Sequence, residues 1–66
     1  MQARPIDFAL MFSKAHKGTS ERLGALQEEL HREGHVDAAI LVQAMRGEHM
    51  ALANAFLELW KEAHDA

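Results

Sequence analysis

The stretch Asp37–His64, DAAILVQAMRGEHMALANAFLELWKEAH, decides the fold. It contains no proline and a single glycine, Gly47. Apolar residues recur at Ile40/Leu41, Ala44/Met45, Leu52, Ala55/Phe56, Leu59/Trp60 and Ala63. That spacing of three and four is the period of an amphipathic helix. The phase persists across Gly47, so one helix over 37–64 is expected, although a glycine in a helix interior costs about 1 kcal/mol relative to alanine. Such a helix is roughly 40 Å long. Asp37 is the expected N-cap, with Val36 before it stapled onto Leu41.

Upstream, glycines suggest boundaries. Pro5 suits a first helical position, Asp7 a first turn, and Lys14 and Lys17 a last turn, where the helix dipole favours acids and bases respectively. Gly18 then reads as a left-handed stop, giving a first helix over 5–17 with a stripe of Phe8, Met11, Phe12 and Ala15. Thr19 or Ser20 reads as the N-cap of a second helix over 20–33, striped by Leu23, Leu26 and Leu30 and ended by Gly34. Gly24 and Ala25 beside that stripe would let a neighbouring helix approach closely. The class is therefore all-α. One domain over 1–66 is expected, with two short helices and one long C-terminal helix.

Two helices of roughly 20 Å cannot cover one of 40 Å. The second half of the long helix, with Leu52, Phe56, Leu59 and Trp60, is then left without a cover, and exposed clusters of Trp and Phe mark interfaces. Sixty-six residues also form a small core, and with no cysteine no disulfide can reinforce it. A homodimer assembled as a helical bundle answers both problems, with Phe8, Phe12, His49, Leu52, Phe56, Leu59, Trp60 and Ala63 as the interface. The aromatics of one protomer would then meet the Phe8/Phe12 stripe of the other. Phe8, Met11, Phe12, Ala15 and His16 also echo the spacing of Phe56, Leu59, Trp60, Ala63 and His64.

Composition narrows the function. Seven basic against ten acidic residues give a net charge of −3 with the signs interspersed, which disfavours a nucleic-acid interface built on phosphate neutralisation. A helix-turn-helix reading of 20–33 and 37–45 puts Ala38, Ala39, Ile40, Leu41 and Val42 where base-reading side chains belong. No run of residues approaches a membrane span, and Met-Gln-Ala-Arg-Pro followed by Asp7 does not read as a secretory leader. A cytoplasmic protein is expected.

Five histidines invite a metal reading. His31 and His35 are four apart and Glu28 precedes His31 by three, but Gly34 breaks the helical spacing and the second Glu-x-x-His of a di-metal bundle is missing. His49 stands alone in an apolar stripe, where it could set register, sense pH or meet its copy across a two-fold axis. His31, His35 and His49 are thus the weak metal candidates, and no cofactor is expected. Ser13 and Ser20 lack a histidine–acid constellation, Glu28 and Glu29 point to different sides of a helix, and no phosphate-binding loop is present, so no catalysis is expected. The residues describe a small regulatory protein, of the kind common in bacteria and phages, that acts through protein–protein interaction as an adaptor, inhibitor or regulatory subunit. The alternatives are a histidine-based metal-binding oligomer and a dimeric nucleic-acid-associated regulator.

Overall fold

Among the described residues only Gly34 has a positive φ, 82°, and it makes the one reversal of the chain. The computed structural model describes residues 4–65. A short 3-10 turn, Pro5–Phe8, leads into α1, Ala9–Arg32, and the chain returns as α2, Val36–His64. The hairpin turn closes on two backbone bonds, His35 N–H to the Leu30 carbonyl (2.9 Å) and Gly34 N–H to the His31 carbonyl (3.1 Å). This is the paired pattern of a Schellman stop, in which the glycine takes the left-handed position that a Cβ disfavours.

Two helices replace the three expected from punctuation. Gly18, Thr19 and Ser20 lie inside α1, so Gly18 is no stop and Ser20 no cap. The seam explains this. Ala9, Ser13, His16, Ser20, Leu23, Gln27 and Leu30 recur at alternating intervals of four and three, and every one of them is buried or half-buried. That period runs through Gly18 without a phase break, and burial against α2 outweighs the local end signals. The N-cap of α2 is His35 rather than Asp37. Val36 is the first residue of α2 and not the one before its cap, so the expected staple position is lost, and Val36 and Leu41 are both exposed. Gly47, by contrast, sits within an unbroken α2 as the phase predicts. A Cβ there would meet nothing within 4 Å. Gly47→Ala is therefore expected to raise unfolding stability by about 1 kcal/mol, measured as the midpoint of urea denaturation.

The length argument for an uncovered helix end fails for the same reason. At ~1.5 Å per residue α1 runs about 36 Å, and with the 3-10 turn it accompanies nearly all of α2. Phe12 and Phe56 meet within one chain, their ring centroids 5.4 Å apart. His64 Nε2 lies 3.9 Å from Asp7 Oδ1, joining the two ends.

What the hairpin lacks is thickness. The molecule measures 52 × 18 × 12 Å, one helix deep. The buried residues of the seam are Ala9, Ser13, Ser20, Ala39, Val42 and Ala53, and no large side chain is fully buried among the described residues. Small side chains let the helices approach until Ser13 Oγ donates to the Ala53 carbonyl at 2.6 Å and Ser20 Oγ to the Arg46 carbonyl at 3.3 Å. The close approach suggested at Gly24 is made by a side chain: the Arg46 guanidinium lies 3.1 Å from where a Gly24 Cβ would be, and its Nη1 donates to Gln27 Oε1. No helix of the described residues is long and apolar enough to cross a membrane.

Candidate interaction surface

The seam of α2 runs Ala39, Val42, Arg46, His49, Ala53, Phe56 and Trp60, at alternating intervals of three and four. Each helix then has two flanks beside its seam, and in an antiparallel pair the same flank of each helix meets on one face of the hairpin. The two faces differ. One carries Phe12 and Leu26 from α1 and Met45, Leu52 and Leu59 from α2, all of them 39–46% exposed. Phe8, Ala15, Leu41 and Ala55 extend this face outward by the same spacing, in rows that also hold Arg22, Glu29, Glu48 and Glu62. The opposite face carries Leu10, Lys17, Gly24 and His31 of α1 and Gln43, Met50 and Leu57 of α2, with Leu10 and Leu57 half-buried and Arg46 laid over Gly24. An open cleft of about 300 Å³, lined by Ser20, Gln43, Arg46, Gly47 and Met50, lies on this side.

A cluster of rings forms the floor of the apolar face. His16 and His49 touch through their Nδ1 atoms at 2.9 Å. The His16 ring stacks on Phe56, nearly parallel at 5°, with centroids 5.6 Å apart. Phe56 in turn meets Phe12. Both imidazoles are half-buried. A hydrogen bond between two Nδ1 atoms requires one ring to donate an N–H and the other to offer a lone pair, so the rings occupy different tautomers.

The residues expected at an interface fall into two groups. Phe8, Phe12, Leu52, Leu59 and Ala63 are exposed. His49, Phe56 and Trp60 are half-buried against their own chain, with Trp60 stacked on His64 at a centroid distance of 4.6 Å. The echo between the two aromatic segments does not give them equivalent surroundings: His16 crosses to His49, whereas His64 Nδ1 turns back to the Trp60 carbonyl at 2.8 Å. His31 and His35 sit on either side of the hairpin turn, and His35 Nε2 lies 3.7 Å from Glu33 Oε2. Among the described residues no three histidine or carboxylate groups converge as a metal site would require. The sequence singled out His49 but not its partner. His16 entered only through the aromatic echo, because its neighbours in the seam, Ser13 and Ser20, are not apolar.

Comparison with protein-family models, with curated proteins and with solved structures finds no match to this chain.

Proposed function

We propose that the hairpin is half of a four-helix bundle, formed with a second copy of itself, and that the chain is a non-catalytic protein that acts through protein–protein contacts. The observation that carries this reading is surface area. A folded monomer of this mass exposes about 4,200 Å², whereas this chain exposes 5077 Å². The excess, roughly 900 Å², matches the roughly 800 Å² that each partner gives up in a standard interface. The radius of gyration, 15.3 Å, exceeds the ~11 Å of a compact chain of this length for the same reason.

The occupant is a second copy because the apolar face draws on both helices, from Phe12 and Leu26, with Thr19 between them, to Met45, Leu52 and Leu59, and continues the seven-residue spacing of the seam. Such a face is complemented by another face with the same repeat, and a two-fold axis supplies one. In that arrangement α2 provides Met45, Leu52 and Leu59 and α1 provides Phe12 and Leu26. The outer faces, which carry charges of both signs, then remain for a protein target, as in an adaptor, an inhibitor or a regulatory subunit.

The test is the solution mass at micromolar concentration by sedimentation equilibrium. Twice the 7.4 kDa of the chain is expected. A monomer at that concentration overturns the reading and leaves the apolar face to a different protein.

A further inference from the structure

We propose that the homodimer holds one transition-metal ion at its centre, bound by His16 and His49 of both copies. The inference rests on the homodimer reading above, because one chain supplies two ligands and the site is incomplete without the second copy. The observation that carries it is a pair of imidazoles at the middle of the hairpin. His49 stands 13 residues after Val36 and 15 before His64, the two ends of α2, and His16 meets it across the seam. Two identical layers that overlap along their whole length are related in one of two ways. A two-fold axis along the helices leaves every residue at its own level. An axis across the helices exchanges levels about the middle. A pair at the middle keeps its level under either axis, so both arrangements gather four imidazoles in one layer of the bundle. His31 and His35 beside the turn, and His64 at the open end, are sent to opposite ends by the second axis.

The geometry of the pair is close to that of two ligands on one ion. Its Nδ1 atoms are 2.9 Å apart. Zinc lies about 2.0–2.1 Å from each histidine nitrogen in a tetrahedral site, which sets the nitrogens about 3.3–3.4 Å from one another. The two rings therefore reach ligand spacing by parting about 0.5 Å. The hydrogen bond between them gives way to two lone pairs on the ion, and each neutral ring keeps its one hydrogen on Nε2. Packed helices lie about 8–10 Å apart, so the centre of the bundle is about 4–5 Å from each seam, within reach of rings tilted out of it. The His16 ring is already placed by its stacking on Phe56, and Phe12 closes over Phe56 beside it.

The charges around the pair leave room for a cation. Arg46, one turn from His49, is turned to the opposite face, where its guanidinium lies over Gly24 and donates to Gln27. Lys17 is exposed on that same face. Arg22 is the cation of the apolar face's rim, and its guanidinium donates to Thr19, towards the turn from His16. Glu48, next to His49, is exposed in the rim of the apolar face, so the dimer brings two carboxylates to the level of the ion. Four protein ligands close the coordination sphere, which makes the site structural rather than catalytic. A structural metal is one of the few ways to reinforce a core this small, and the chain has no cysteine to offer a disulfide instead.

The experiment titrates metal-free protein, purified without a histidine tag, with zinc and with cobalt(II) at about pH 8, where imidazole is neutral. One ion per two chains is expected, with the intense visible absorption of tetrahedral cobalt. Zinc is expected to tighten the dimer dissociation constant, measured by sedimentation, tenfold or more, because the complete site exists in the dimer alone. The double variant His16→Leu/His49→Leu should lose the ion, and His31→Gln/His35→Gln should keep it. A wild-type dimer that binds no ion overturns the inference and leaves the dimer standing. One ion per chain, or binding lost in the His31/His35 variant, also overturns it. A metal-free protein that is monomeric at micromolar concentration instead overturns the dimer reading. The stoichiometry is read on the wild type, so the test does not depend on a variant folding.

Discussion

Ala53→Leu is expected to lower the stability of the hairpin by about 2 kcal/mol or more, among the largest effects of any single apolar substitution in this chain. Ala53 is 4% exposed. Its carbonyl accepts the Ser13 hydroxyl at 2.6 Å, so the backbone of α2 lies within reach of a serine side chain on α1. A leucine needs three more carbons of space where the helices are closest. It can gain that space only by pushing the helices apart, which breaks the serine bond and loosens the ring cluster one turn away. For a chain of this size 1 kcal/mol corresponds to roughly 4–8 °C of melting temperature, so the shift is easily read by circular dichroism. Ala51→Leu is the control, because Ala51 lies in the same helix and is exposed, and leucine is nearly as good a helix former as alanine. Its melting temperature is expected to stay close to wild type. A tolerated leucine at 53 would mean that the helices do not approach as closely as the serine bonds require.

The same seam explains how much of the structure is legible from residues alone. α2 reads correctly because its apolar phase continues through Gly47, and a helix period is a property of many residues at once. α1 does not, because Gly18-Thr19-Ser20-Glu21 satisfies the local rules for a stop followed by a cap. Those rules describe helix ends that find no better partner, and here Ser20 finds the Arg46 carbonyl. The contacting face of α1 is hidden by its chemistry. Ser13, His16, Ser20 and Gln27 carry no hydrophobic signal, so the apolar Phe8, Met11 and Phe12 look like the buried stripe when they are exposed. A search for small residues at alternating four and three, beginning Ala9, Ser13 and continuing to Ser20, would have found the seam. The His16–His49 contact joins positions 33 apart in the chain, and no local pattern predicts it until the antiparallel register is known.

That misreading also separates two arguments for a dimer. One needed an overhanging helix end, and α1 removes it. The other needs an apolar face, and the face persists because a two-helix layer can cover only one side of each helix. A double substitution on that face is expected to have the largest effect on association. Leu52→Glu with Leu59→Glu should weaken self-association more than a hundredfold while leaving helix content unchanged. The two leucines are seven residues apart on α2 and 43% and 46% exposed in the single chain, so the hairpin itself does not depend on burying them. Dimerisation would bury only the part of each side chain still exposed, roughly 0.7–1.3 kcal/mol per leucine, and two carboxylates placed there in each chain would add a desolvation cost. A two-fold dimer holds four such leucines, so at a factor of ten for each 1.4 kcal/mol the lost burial is on the order of a hundredfold and the desolvation cost adds to it. Met50→Glu supplies the comparison. Met50 is similarly exposed, at 39%, but lies on the opposite flank beside Gln43, and its substitution should leave the dissociation constant within a few-fold of wild type. If Met50→Glu dissociates the dimer and the leucine pair does not, the two copies meet through the flank that carries Arg46, and the His16–His49 pair then faces solvent instead of the interface.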